Sequence, residues 1–178
     1  MKYYLILILY FYTNLVFSSV EGTIHKDSIV LGSGCFWGAE KTYEVIPGVI
    51  KAISGYADGQ GVVPSYKEIT KFKNKYNPNN HAEVVKVIFN PDKVKVDDIL
   101  IKYFETHDPT QLDRQGNDVG TQYRSIILTS DEKQKLIAET KLMEYQKLLN
   151  DAGFKQIVTK IKPLKEFFPA ELYHQDYL

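Results

Sequence analysis

The stretch GSGCFWGAEKTYEVIPG, Gly32 to Gly48, holds the one cysteine of the chain, Cys35. A spectator cysteine usually sits among aliphatics inside a strand or helix. This one lies between glycines, just ahead of residues that read as a helix. With Trp37 opening that helix, Cys35 falls at its N-cap, where free amide N–H groups and the positive end of the dipole favour thiolate over thiol. The glycines permit a tight turn and close approach of a ligand. A small buried hydrophobe is the bland alternative. Phe36 and Trp37 are either core or an apolar wall for a small alkyl or thioether group.

A second group that could do chemistry is Glu83, in HAEVV. Alternation places Glu83 on one strand face with His81 and Val85, and Ala82 and Val84 on the other. Facing a core, the carboxylate would be desolvated and its pKa raised, as a general acid working near neutrality requires. Read from the residues alone, an exposed glutamate at a strand edge is the simpler account. His81 suggests a Cys/His pair, but no zinc spacing accompanies it. His25, His107 and His174 are scattered singly and read as ordinary. GNDVGTQYRS (Gly116–Ser125) gathers Asn117, Asp118, Gln122 and Tyr123 in a loop entering a strand. Such a cluster can hold waters and orient donors, or be a solvated turn.

The elements that must position these residues follow from periodicity. Ser28–Gly34 reads as a buried strand ending in glycines, and WGAEKTYEVI as a short helix stopped by Pro47–Gly48. Val49–Ala57 returns as a strand. Tyr66–Asn80 begins with one helical turn and decays into a Lys/Asn-rich loop. His81–Pro91 is β-branched and alternating. Val96–Asp108 puts Val96, Ile99, Leu100, Tyr103 and Phe104 on one helical face. A long polar loop follows, then the strand RSIILTS, an amphipathic helix over DEKQKLIAETKLMEYQKLLNDAG, the strand QIVTKIKPL and an aromatic tail. This order predicts an α/β (α+β) two-layer sandwich with a mixed β-sheet rather than a doubly wound fold.

With 178 residues and no net charge, the chain suits one compact domain and offers no basic stripe for nucleic acid. One cysteine rules out a disulfide within this sequence. The first residues, MKYYLILILYFYTNLVFSS, place a lysine before an apolar run, then small residues that frame a cut after Ser18. That is the layout of a secretory signal peptide over residues 1–18, with residues 19–178 as the folded domain. The alternative is an uncleaved anchor, but Thr13 and Asn14 break a run already short of the ~20 apolar residues a spanning helix needs.

GCFWGAE, HAEVV, GNDVGTQYRS and the terminal HQDYL, in that order, resemble the peptide methionine sulfoxide reductase A family from about Ser28 to Leu178. The resemblance implies a ferredoxin-like (split βαβ) core. It also implies reduction of methionine S-sulfoxide, free or in proteins, as repair of oxidative damage. Cys35 then matches the nucleophile that attacks the sulfoxide sulfur, and Glu83 the acid that protonates its oxygen. Phe36 and Trp37 match the aromatic pair around the substrate S-methyl group. Tyr123, and Tyr66 in PSYKEI, match the two tyrosines whose hydroxyls bond the sulfoxide oxygen. Asp118 matches the acid that organises the site and a water. A sulfenic acid on Cys35 would be cleared by an external thiol reductant, a thioredoxin-like protein or a small thiol. No metal and no bound organic cofactor are implied. A monomer acting on oxidised proteins and peptides, exported to a periplasm or secreted, is the expectation.

Three departures stand out. Where the family commonly runs YxxVCxGxTGHAE, this chain has KFKNKYNPNN between Tyr66 and His81. The family's GYAGG appears as GYADG, with Asp58 in a glycine's place. Many members continue past HQxYL into a tail bearing recycling cysteines. This sequence stops at Leu178, as a one-cysteine member or a fragment would. Two rival readings are a Cys/His hydrolase or acyl transferase built on Cys35 and His81, and a non-catalytic module that binds methionine.

Overall fold

The computed structural model describes residues 25–61 and 63–178, so the signal-peptide reading falls outside the described residues. Strand β1 (Asp27–Gly32) leads into helix α1 (Phe36–Glu44), β2 (Val49–Ala57), a single turn α2 (Tyr66–Ile69) and β3 (Ala82–Phe89). Helix α3 (Val96–Glu105), the two-residue strands β4 (Arg114–Gln115) and β5 (Asp118–Val119), β6 (Ile126–Thr129), helix α4 (Glu132–Asp151), β7 (Lys160–Pro163) and β8 (Phe167–Pro169) complete it.

The main sheet runs β7-β6-β1-β3-β2-β8. β6 and β7 pair in parallel and all other neighbours antiparallel, so the sheet is mixed as expected. Its centre, β6-β1-β3-β2, is built from β1-α1-β2 and β3-α3-β6, the split βαβ arrangement that the resemblance implied. Helix α1 packs through Phe36, Ala39, Glu40 and Tyr43, which share a stripe at 3.6-residue spacing. The predicted face of α3, Val96 to Phe104, is buried in full. With Ile29, Leu31, Val85, Val87 and Phe89 of the sheet these residues form the main core. Val30, Ala82, Val84, Ile126 and Leu128 form a smaller cluster. Helix α4 is capped by Asp131, whose carboxylate accepts from Gln134 N at 2.8 Å.

Two features differ from the sequence expectation. The aromatic tail after β7 contains a further strand. β8 adds an edge strand to β2, with Gly55 opposite Pro169 and Tyr56 opposite Phe168. Gly55 is what admits it: a Cβ there would lie 2.4 Å from the Phe167 ring. The loop before Tyr123 is likewise ordered, as the β4–β5 hairpin followed by a 3₁₀ turn over Thr121–Tyr123.

Candidate active site

Helix α1 opens one residue earlier than predicted, at Phe36, and Cys35 is its N-cap residue as expected. Gly34 sets the turn into it, with φ +98°, and packs against the Gln115 side chain. Cys35 is half-buried. Its thiol does not have the depressed pKa that a helix entrance alone predicts. Burial raises it, and the carboxylates of Glu83 and Asp118 raise it further, against the lowering by the Trp37 and Gly38 N–H groups. The helix terminus acts in the predicted sense and is outweighed.

Glu83 sits one residue into β3, opposite Tyr56 of β2, in the interior of the sheet. It is 1% exposed, so the edge reading is corrected: the strand is central, and both flanks are occupied. Glu83 Oε2 accepts a hydrogen bond from Phe36 N at 3.2 Å, while Oε1 is buried with no protein partner. Burial pushes its carboxyl up to about 8; the Phe36 N–H opposes the shift and Asp118 adds to it. A carboxylic acid that keeps its proton at neutral pH therefore lies beside the thiol.

Around this pair stand the other residues singled out in the sequence. Phe36 is 1% exposed, its ring 6.3 Å from Trp37 and 5.8 Å from Tyr56. Tyr66 begins α2, and its phenol is raised by burial first, then by Glu83, Cys35 and Asp118. The Tyr123 phenol is raised by burial, Glu83, Tyr66 and Asp118. Asp118 lies exposed on β5, at the rim. The hairpin that carries it is held beside the Cys35 turn by Gln115, whose amide bonds Asp108 N and O, both at 3.1 Å. All seven residues named for the site thus converge, Tyr66 included, although the segment after it departs from the family pattern.

His81 does not join them. It precedes β3 and does not share a strand face with Glu83. Its ring meets Phe168 edge-on at 5.7 Å and lines a cavity of about 650 Å³ with Asp58, Leu128 and Lys162. None of Cys35, Glu83 or Tyr123 lines that cavity. The Cys/His reading therefore has no geometry behind it.

His174, read as ordinary, belongs to the site. It is 2% exposed, accepts from Trp37 Nε1 at 3.1 Å through Nδ1, and packs on Phe36 and Tyr66 with ring centres 5.1 and 4.6 Å away. Tyr177 stacks on Trp37 at 3.9 Å. The segment that bears them is locked down. Glu40 of α1, 3% exposed, accepts from Ser54 N at 3.0 Å and Asp176 N at 2.9 Å. Gln175 bonds Ser54 N and O, and Glu171 takes Tyr56 OH at 2.7 Å and Tyr66 N at 3.1 Å. The one sequence signal for this was HQDYL, a motif without local chemistry. Among the described residues no group of three His, Cys, Asp or Glu could hold a metal ion.

The arrangement is a thiol and an acid held protonated by burial, set among the rings of Phe36, Trp37, Tyr56 and His174, with two phenols close enough for the acid to raise them. Residues 27–178 match the family model described as peptide methionine sulfoxide reductase. The chain belongs to that family. It is 45% identical over 149 residues to the peptide methionine sulfoxide reductase MsrA of Salinispora arenicola, covering 84% of this chain and 66% of that protein. The solved structure of methionine sulfoxide reductase A of Corynebacterium diphtheriae superposes with a TM-score of 0.80 at 39% identity, covering 88% of this chain and 76% of that one. Mxr1 from Saccharomyces cerevisiae in reduced form gives a TM-score of 0.75 at 31% identity, covering 86% of this chain and 84% of that one. A structure of Mxr1 in complex with Trx2, at 23% identity and a TM-score of 0.58, shares the fold. The chain spans just under two thirds of the length of the Salinispora relative.

Proposed function

We propose that this chain reduces methionine S-sulfoxide, free or in proteins, to methionine through a sulfenic acid on Cys35, repairing oxidative damage. The observation that carries the reading is Glu83: a carboxyl 1% exposed, pushed up to about 8, with Oε1 unpartnered beside the thiol. Sulfoxide oxygen is a poor leaving group unless protonated, and a neutral buried acid supplies that proton. Phe36 and Trp37 receive the S-methyl group, while Tyr66 and Tyr123 hold the oxygen through their hydroxyls. Asp118 at the rim orders the site and a water. Cys35 sulfur attacks the sulfoxide sulfur as Glu83 protonates the oxygen, and the thiol proton replaces the one Glu83 gives up. The hydroxyl then passes from the methionine sulfur to the Cys35 sulfur: the substrate S–O bond and the transient S–S bond both break, and a Cys35 S–O bond forms. Methionine sulfur is reduced by two electrons, Cys35 sulfur is oxidised by two, and the oxygen ends on Cys35 as S–OH.

Two external thiols close the cycle. The first attacks the sulfenic sulfur, releasing water and leaving a mixed disulfide; the second displaces Cys35 and carries away the disulfide. A thioredoxin-like protein fits this role; Mxr1, which shares the fold, is known in complex with Trx2. Export is part of the proposal: the charged, apolar and small-residue order of residues 1–18 supports it, and the family match begins only at residue 27.

The test is epimer-resolved turnover of a methionine sulfoxide peptide with dithiothreitol. Consumption of the S epimer with the R epimer left intact is expected. Binding without turnover, or loss of both epimers at equal rates, contradicts the reading.

A further inference from the structure

We infer that the asparagine-rich segment 71–80, where this chain departs from the family's usual run, is a bridge that sets Tyr66 against Tyr123, with Thr121 as the positioning residue through which it acts. The inference rests on the proposed reduction, in which both phenols hold the sulfoxide oxygen.

The segment is bonded at both ends to backbone next to the two tyrosines. At one end, Glu68 O accepts from Asn74 Nδ2 at 2.8 Å and Ile69 O from Asn80 Nδ2 at 2.9 Å, both within the turn that Tyr66 begins. Tyr66 O itself accepts from Thr70 Oγ1 at 2.7 Å. At the other end Thr121, 3% exposed, donates twice: its N–H to Lys75 O at 2.8 Å and its hydroxyl to Asn74 O at 3.1 Å. Thr121 opens the 3₁₀ turn that carries Tyr123. Arg124, the residue after Tyr123, donates to Asn80 O at 3.0 Å and Thr121 O at 2.8 Å, so the turn is held on both sides of the phenol.

Asn74 O is the junction. It receives the Thr121 hydroxyl, Asn80 Nδ2 at 3.3 Å and Asn77 N at 3.1 Å. Tyr66 and Tyr123 lie far apart in the chain, with β3, α3 and the β4–β5 hairpin between them, yet Asn74 joins their turns, its side chain bonding Glu68 O and its carbonyl taking the Thr121 hydroxyl. A phenol that stabilises charge on a departing oxygen does so only at hydrogen-bond distance, so a shift of some tenths of an ångström lowers the chemical rate before it lowers binding. Loss of the hydroxyl leaves Asn74 O with two donors, so the fold does not depend on it.

The experiment is a double-mutant cycle in single-turnover reduction of an S-sulfoxide peptide, using Thr121→Val, Thr121→Ser and Tyr123→Phe. Thr121→Val keeps shape and N–H but removes the hydroxyl. It should slow the chemical step about five- to tenfold with little change in KM, because Phe36 and Trp37 are untouched. Thr121→Ser should retain wild-type rate within about twofold. In the Tyr123→Phe background the effect of Thr121→Val should vanish. An equal effect in both backgrounds, or no effect of Thr121→Val in either, overturns the inference. Tyrosine ring NMR signals give a readout independent of turnover: Thr121→Val should move both Tyr66 and Tyr123, and unmoved signals overturn the bridge. Absence of sulfoxide turnover in the wild-type protein refutes the proposed function, and the ring signals then decide the bridge alone.

Discussion

Burial raises the pKa of both Cys35 and Glu83, Asp118 adds to both and Glu83 adds to that of Cys35, so at neutral pH the pair is loaded with protons rather than charge. That suits a reaction whose difficulty lies in expelling oxygen. Glu83→Gln keeps the shape and the bond from Phe36 N but has no acidic proton. Single-turnover reduction should slow by roughly 10²–10⁴, and a rate within a few-fold of wild type removes Glu83 from the role. The pH profile carries the same sign. Glu83 is protonated below about 8, so the acid-dependent rate falls as pH rises through that value. Stability follows the linkage. A carboxyl raised from 4.5 to about 8 binds more protons folded than unfolded. Wild type should therefore lose stability relative to Glu83→Gln as pH rises from about 5 to 8, by a few kcal/mol in order of magnitude, read by denaturant melts at each pH. An unchanged difference would place Glu83 in contact with water. At this scale the sequence showed residue types well and environments poorly. Glu83 lay in an alternating strand, but its burial depends on β1 and β2 flanking β3, and no neighbour of Glu83 in sequence encodes that. The direction of the Cys35 shift was hidden for the same reason, since Glu83 and Asp118 arrive from other elements.

The helices and longer strands were legible because each buries a face with its own period. β2 has the predicted bounds, and α3 buries the five residues its spacing named. What could not be read were elements held by distant partners. β8 is three residues of tail that pair only because Gly55 leaves room. His174 reaches Trp37 across 137 positions, through a segment pinned by Gln175 and Glu40. Gln175→Ala should loosen that segment, costing about 1 kcal/mol for the lost amide bonds, since Glu40 and Ala170 N still pair Ser54 N and O, and raising KM as Trp37 loses its support. Thermal melts and steady-state kinetics check both, and a melt shift without a KM change would separate the clamp from the pocket. Asp58 is the other such case. In place of a family glycine it takes φ +58° and pairs buried Arg124 at 3.0 Å and Lys162 at 2.8 Å, joining the end of β2 to β7. Asp58→Asn leaves Arg124 without its counter-charge and should cost on the order of 3 kcal/mol in a denaturant melt. A change below about 0.5 kcal/mol would mean that the Asn80, Thr121 and Asp58 carbonyls suffice for Arg124.

At the scale of the molecule, a split βαβ core brings the start of α1, the start of β3, the α2 turn and the 3₁₀ turn to one place, and the C-terminal segment covers it. Four stretches separated in sequence become one site with a single thiol in it. The chemistry proposed for that site requires that the thiol take the substrate's oxygen. Intact-mass analysis of the protein mixed with one equivalent of an S-sulfoxide peptide, with no reductant present, measures this directly. One equivalent of methionine peptide should form while the protein gains one oxygen, located at Cys35 by a sulfenic-acid probe, and Cys35→Ser should form none. Methionine formed by Cys35→Ser, or formed by wild type with Cys35 unmodified, would contradict the account.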